Sequence, residues 1–304
     1  MLVTGKKLLD KANKGKYAVG AFNVNNMELM QAIVRAAEKL KSPAILQTSE
    51  GAIGYAGLET LFHLLKQTAE ESNNPFTIHL DHGRNLELIK KCIRIGYTSI
   101  MYDGSHLPFD QNVKTTRKVV GWCHKKGIGV EAELGTIGGA EDLISARQII
   151  YTEPSSAVEF VRETGCDSLA IAIGTSHGAY KFSGTAHLDI GRLMVIKKLL
   201  PMPLVLHGAS GVPGDIVRKA QEFGARLGEP EGVPDEQISR AIRHGINKIN
   251  TDTDLRLAFT ASLRETIATK PEEFDPRKLL APARDAIQAV VEHRMRLFGS
   301  AGKA

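Results

Sequence analysis

Short apolar and β-branched runs alternate along the chain with stretches whose apolar residues recur every three or four positions. The runs predict strands over residues 19–24, 44–48, 76–81, 99–102, 129–134, 168–173, 204–206 and 246–250. The helical spacing predicts helices over 27–40, 86–95, 112–125, 156–164, 187–199, 215–223 and 235–244. Pro154 ahead of two serines, and Pro234 ahead of Asp235, are helix-start signals. Gly96, Gly127, Gly165, Gly224 and Gly245 are stop signals. A short amphipathic helix precedes the first strand, the stretch after Asp252 is helical to about Thr269, and a final helix over 282–298 ends in a Gly-rich tail. Strand followed by helix, eight times over, predicts an α/β fold: one (β/α)8 TIM barrel with an N-terminal helix and a C-terminal helical extension. No shift in composition marks a boundary, so residues 1–304 are expected to form a single domain, with 224–234 a surface loop between two helices.

In such barrels the active site lies at the C-terminal ends of the strands. Here those ends carry Asn23, Ser49, Asp81 with His82, Asp103, Glu133, His177, His207, and Asn250 with Asp252. His82, His177 and His207 would bring three imidazoles from different strands to one mouth. That set suits zinc and leaves a fourth position open for a substrate oxygen. Against it stands the count of histidines, 10 in all, some of which must fall near the mouth by chance. Period-two alternation also puts His79 on the face of Asp81, Glu131 on that of Glu133, and Lys248 on that of Asn250, one layer deeper. Buried charges need partners, so Lys248 is expected to pair with Glu131, with His79 nearby.

Composition narrows the partners. A hydrophobic share of 42% and a charged share of 24% fit a globular chain with a sizeable core. The net charge of +5 is scattered, with no basic run, and fits an anionic small substrate at least as well as nucleic acid. Neither a secretory leader nor an apolar stretch of membrane-spanning length is evident. Cys92, Cys123 and Cys166, an odd number without paired spacing, are expected as free thiols in a reducing cytoplasm. Small residues and hydroxyls recur in three neighbouring loops: 174–181 with Lys181, 207–211 with Ser210, and 250–253 with Thr253. Such loops let backbone N–H groups approach a phosphate. The segment 135–153 is long for a βα loop, opens with glycines and carries Glu141, an acid that would swing over the mouth.

Ala21-Phe22-Asn23-Val24, His79-Leu80-Asp81-His82-Gly83, Glu131-Ala132-Glu133-Leu134-Gly135, and the segments 174–181, 206–213 and 248–254 resemble the class II, metal-dependent fructose-bisphosphate aldolases. The likeness spans nearly the whole chain, including 273–277 and the tail. It implies zinc on His82, His177 and His207. Asp81 would be the acid and base at the C4 oxygen, and Glu133 and Asp103 would support a second divalent metal position. By the same resemblance Asn250 holds the enediolate, and Asn23 and Ser49 face the aldehyde half. Gly178, Lys181, Gly208, Ser210, Asp252 and Thr253 surround the C1 phosphate, and backbone carbonyls near Gly178 and Gly208 form a Na+ or K+ site. Glu141 matches the loop acid that exchanges the triose proton. Arg256 matches the arginine that reaches a neighbour's C6 phosphate, which implies a homodimer or homotetramer. Two departures stand out: Ala140 precedes Glu141 where many relatives have a second acid, and Gly104 follows Asp103 where a bulkier residue is usual.

The expected function is therefore reversible cleavage of fructose 1,6-bisphosphate into triose phosphates, with zinc as Lewis acid and Asp81 as proton carrier. A tagatose 1,6-bisphosphate aldolase is the near alternative. A Schiff-base aldolase would need Lys248 as its nucleophile. A phosphosugar-binding scaffold would have lost the acid and base groups that this chain retains.

Overall fold

The computed structural model describes residues 1–141, 144–146, 149–177, 187–228 and 230–304, with only the backbone at 138–141, 144–146 and 177. In chain order the first half contains α1 (Gly5–Gly15), β1 (Val19–Asn23), α2 (Met27–Leu40), β2 (Ala44–Ser49), α3 (Glu50–Ala56), α4 (Leu58–Glu71), β3 (Phe76–Gly83), α5 (Leu86–Ile95), β4 (Ser99–Tyr102), α6 (Phe109–His124) and β5 (Gly129–Leu134). The second half contains β6 (Gly138–Glu141), β7 (Ile144–Ala146), α7 (Pro154–Thr164), β8 (Ser168–Ile171), β9 (Ser176–His177), α8 (Ile190–Leu199), β10 (Leu204–Leu206), α9 (Gly214–Glu222), α10 (Asp235–Arg243), β11 (Ile246–Thr251), α11 (Thr253–Thr269) and α12 (Pro276–Leu297).

Eight of the strands close a parallel barrel in the order β1-β2-β3-β4-β5-β8-β10-β11, with β11 pairing back onto β1. All eight are the expected runs, with bounds that differ by at most two residues. Outward strand residues such as Leu46, Ile78, Ile100 and Val130 pack under the helices in one large core. The inward side of the lower barrel is closed by α1, whose Leu8, Leu9 and Ala12 cluster with Val19, Ala21 and Ile45. The N-terminal helix thus plugs the end of the barrel opposite the site.

Four differences from the sequence pattern have physical reasons. Residues 50–71 form α3 and α4, which the pattern did not single out. Gly51 and Gly54 weaken the helical signal of α3, although Leu61, Phe62, Leu65 and Ala69 give α4 a buried stripe. The last helix starts at Pro276 rather than at 282. Asp275 caps it by accepting from the Arg277 N–H at 2.9 Å, with proline at the first helical position, and Pro282 lies inside. The expected loop 135–153 is no plain loop: β6 pairs antiparallel with β7 and parallel with β9. The segment 224–234 does not merely cover the surface, since Val233 is fully buried and donates its N–H to the Ser210 carbonyl at 3.0 Å.

Candidate active site

The strand ends place a ring of buried acids and imidazoles at the barrel mouth. His82, the penultimate residue of β3, lies in the left-handed region with φ 46°, which few non-glycine residues adopt. Its amide bonds the Met101 sulfur at 3.4 Å, and the next residue, Gly83, lies against the Met101 carbonyl where a Cβ would come within 2.7 Å. This turn swings the ring inward. His82 Nδ1 lies 3.2 Å from Asp103 Oδ2, and His207 Nε2 lies 2.8 Å from Glu131 Oε1. Each ring donates its outer N–H to a carboxylate, which fixes the tautomer. The inner nitrogens, His82 Nε2 and His207 Nδ1, lie 2.8 Å apart, a hydrogen bond in which the protonated His82 ring donates to His207. A metal ion bound to both nitrogens would displace that proton.

The surrounding charges agree. Burial alone would lower the His82 pKa, but Asp81, the Asp103 hydrogen bond and Glu133 overcome it and push it up to about 10. Burial, followed by the Asp103 charge, pushes Glu133 up to about 8. Its Oε2 is buried without a hydrogen-bond partner among the described residues, 3.5 Å from His207 Nδ1. Asp103 is held well below the ordinary carboxylate range: burial would raise it, but the His82 hydrogen bond and charge and Arg84 outweigh that. Asp81, His82 and His207 bring ligand atoms within 4.8 Å of one another, and so do His82, Asp103 and Glu133. Nitrogen donors ringed by carboxylates fit a divalent cation.

Asp81 sits above this layer as an acceptor between two amides. Gln47 Nε2 donates to its Oδ2 at 3.2 Å, and Asn250 Nδ2 donates to its Oδ1 at 3.0 Å. Gln47 also donates to Asn23 Oδ1 at 2.6 Å, so β1, β2, β3 and β11 share one polar chain. The Asn250 carbonyl oxygen is buried without a described partner. One layer below, Lys248 Nζ lies 2.8 Å from Glu131 Oε2 and 3.4 Å from His79 Nε2, the pairing that the alternation implied. Burial, then the Lys248 charge, lowers the His79 pKa, so its ring is neutral. Lys248 is therefore committed to an ion pair in the barrel interior.

Around the rim, Ser49 caps α3 by accepting from Ala52 N at 3.1 Å. Gly208 has φ 60° and packs on Ser176, whose carbonyl would lie 2.6 Å from an added Cβ. The Asp252 N–H reaches Ser210 Oγ at 3.4 Å, and Thr253 opens the 17-residue helix α11, whose N-terminus favours anions. Arg256 pairs with Asp252 at 2.6 Å, not with Asp254 or Glu265. Gly178 and Lys181 lie outside the described residues, as do the side chains of Glu141 and His177. Their backbones place His177 in β9 and Glu141 at the end of β6, opposite Ile144. Gly104 lets Asn112 approach, since a Cβ there would meet Asn112 Oδ1 at 2.3 Å, and Asn112 in turn donates to the Glu133 carbonyl at 3.0 Å.

Sequence reasoning missed Gln47, Arg84 and the full part played by Glu131. Arg84 Nη2 lies 2.6 Å from Asp103 Oδ2, and Ser105 donates to Oδ1, so Asp103 is already held from three sides. The signal for Gln47 was a lone amide inside the apolar strand β2, two residues before Ser49 and so on its face. Among the described residues no helix is long and apolar enough to cross a membrane.

The family model for "Fructose-bisphosphate aldolase class-II" matches residues 3–227 and 228–303. A fructose-bisphosphate aldolase of Thermus caldophilus is 51% identical over 306 aligned positions, covering 100% of both chains. One from Giardia intestinalis is 47% identical, covering 100% of this chain and 94% of its own. The crystal structure of the YdjI aldolase from Escherichia coli K12 aligns with a TM-score of 0.81 at 32% identity, covering 100% of both chains.

Proposed function

The chain belongs to the class-II fructose-bisphosphate aldolase family, and from that premise we propose how its own residues carry the reaction. The reaction is the reversible aldol cleavage of fructose 1,6-bisphosphate into dihydroxyacetone phosphate and glyceraldehyde 3-phosphate, catalysed by this lyase with a divalent metal. We assign that metal as zinc, held by His82, His177 and His207. Bound there, the ion supplies Lewis-acid polarisation of the ketose carbonyl.

The observation that supports this assignment is the convergence of Asp81, His82 and His207, whose ligand atoms lie within 4.8 Å of one another, with the outer nitrogens of both rings held by carboxylates. Asp81 takes the proton from the C4 hydroxyl on cleavage and returns it on condensation. Its two amide donors, Gln47 and Asn250, hold the carboxyl group in place for that transfer. Asn250 keeps one carbonyl oxygen for the three-carbon product, and Asn23 and Ser49 receive the aldehyde half. Glu141 exchanges the proton of the triose. Glu133 and Asp103 serve a second divalent position, and backbone carbonyls near Gly178 and Gly208 serve Na+ or K+. Gly178, Lys181, Gly208, Ser210, Asp252 and Thr253 bind the C1 phosphate. Arg256, freed from Asp252, takes the C6 phosphate of a neighbouring subunit in a homodimer or homotetramer. Residues 1–304 act as one catalytic domain, in the cytoplasm.

A coupled assay on fructose and tagatose 1,6-bisphosphate, with chelator and with zinc restored, tests this. Fructose bisphosphate is expected to be the better substrate, with activity lost to chelator and recovered with zinc. His82→Ala and His207→Ala are expected to lose zinc and turnover together. Full activity in a metal-free preparation, or inactivation by borohydride with substrate, would move the chemistry to a lysine.

A further inference from the structure

The loop after β10 carries strain that the reacting groups do not explain. Val212 holds φ 48°, a left-handed conformation that is an outlier for a β-branched residue. Such strain persists only where neighbours over-determine it. Here the Gly211 and Val212 N–H groups donate to the two oxygens of Asp254, at 3.2 and 2.8 Å. The two amides form an anion nest, and a carboxylate of the chain itself fills it. They are thereby spent, and what they set is the direction of the residues just before them, Gly208 to Ser210.

Asp254 is fully buried on the first turn of α11, where an unbalanced carboxylate would repel a phosphate. Arg294, on α12 and only 2% exposed, balances it: Nε and Nη2 both lie 2.9 Å from Asp254 Oδ2. Its third nitrogen, Nη1, lies 2.7 Å from Asp235 Oδ1, and Asp235 in turn bonds His293 at 2.7 Å. The guanidinium also presses on the loop, since a Cβ on Gly211 would meet Nη2 at 2.1 Å. From the other side Gly232 lies so close that its Cβ would meet the Gly211 carbonyl carbon at 2.2 Å, and Val233 bonds Ser210. The loop is gripped between the C-terminal helix and the segment before α10.

We propose that Arg294 is a positioning residue for the substrate phosphate: through Asp254 it fixes the left-handed turn that aims Gly208 and Ser210 at the anion, and it cancels a buried charge beside it. The role rests on the phosphate assignment made above for Gly208 and Ser210. Loss of Arg294 therefore weakens phosphate binding in ground and transition states alike, which raises KM and leaves kcat. Lysine reaches one carboxylate and cannot span both.

The test uses the zinc-loaded enzyme and its Arg294→Met, Arg294→Lys and Ser210→Ala variants. It measures kcat, KM for fructose 1,6-bisphosphate, the inhibition constant of inorganic phosphate, zinc content and Tm. Arg294→Met is expected to raise KM and the phosphate constant together by about 10- to 100-fold, the range for a lost charge-assisted hydrogen bond. Arg294→Lys is expected to fall between it and the parent, with kcat within about 3-fold and zinc unchanged. Arg294→Lys carries the test if Arg294→Met does not fold. If Ser210→Ala shifts both constants and the Arg294 variants do not, positioning by Arg294 is overturned while the phosphate assignment stands. If Ser210→Ala shifts neither, the phosphate assignment falls and takes Arg294 with it. A fall in kcat at constant KM would leave Arg294 a structural residue.

Discussion

At the scale of single residues, the most informative group is Asp81. Two amide donors, Gln47 and Asn250, fix its two oxygens as acceptors beside His82, which is the placement proton removal requires. Asp81→Ala is expected to lower kcat by roughly 10²–10⁴-fold, the usual contribution of a positioned acid or base, with zinc content close to the parent's. Steady-state kinetics check this, and a large rise in KM at unchanged kcat would reassign Asp81 to binding. Asp81 and His82 stood out in the sequence because they end one of eight strands whose ends all carry polar candidates. Gln47 did not, because a single amide within a fully buried run such as β2 carries little weight by itself, even though alternation puts it on the face of Ser49. The strain at His82 and Val212 was invisible for another reason: positive φ in a non-glycine residue leaves no mark in composition.

Among elements, the barrel strands were legible almost to the residue, and alternation correctly stacked His79, Glu131 and Lys248 under the site. That stack makes a strong prediction, because Lys248 and Glu131 are buried together with no water-facing escape. Lys248→Met strands the Glu131 carboxylate and is expected to cost about 3–5 kcal/mol, the usual penalty for breaking a buried pair. Lys248→Met with Glu131→Gln is expected to recover part of the loss. Urea unfolding midpoints measure both, and a single-variant cost under about 1 kcal/mol would mean that solvent screens the pair. The helices were less legible at their ends. The sequence pattern starts α12 at Pro282, which the helix tolerates internally, while the stronger cap, Asp275 ahead of Pro276, lies seven residues upstream. The β6–β7 pairing escaped because strands of four and three residues carry too few side chains to show alternation.

For the whole molecule, two properties depend on features far apart in the chain. One is assembly. Arg256 lines a rim groove with Asn25, Asn26, Tyr55 and Phe259, and Tyr55 is 80% exposed on it. If Arg256 serves a neighbour's C6 phosphate, Arg256→Ala weakens cleavage of fructose 1,6-bisphosphate far more than that of fructose 1-phosphate. Equal losses on the two substrates would confine Arg256 to its pair with Asp252. The other property is stability in alkali. Burial pushes Cys92, Cys123 and Cys166 each up to about 12, and also raises Tyr97, which bonds Thr48 at 2.8 Å. The folded chain therefore keeps thiol protons that the unfolded chain releases near pH 9, so stability falls as pH rises from about 9 toward 12. Lys197 works the other way: burial lowers it to about 8, so the folded chain gives up a proton that the unfolded chain holds to 10.5. Three thiols outweigh one lysine, and each proton contributes roughly 1.4 kcal/mol per pH unit. Urea midpoints of the zinc-loaded enzyme are thus expected to drop steeply between pH 9 and 11, and the drop should flatten when all three cysteines are replaced by alanine or valine. An unchanged slope in that variant, or rapid labelling of the thiols in the folded enzyme at pH 8, would show that solvent reaches them.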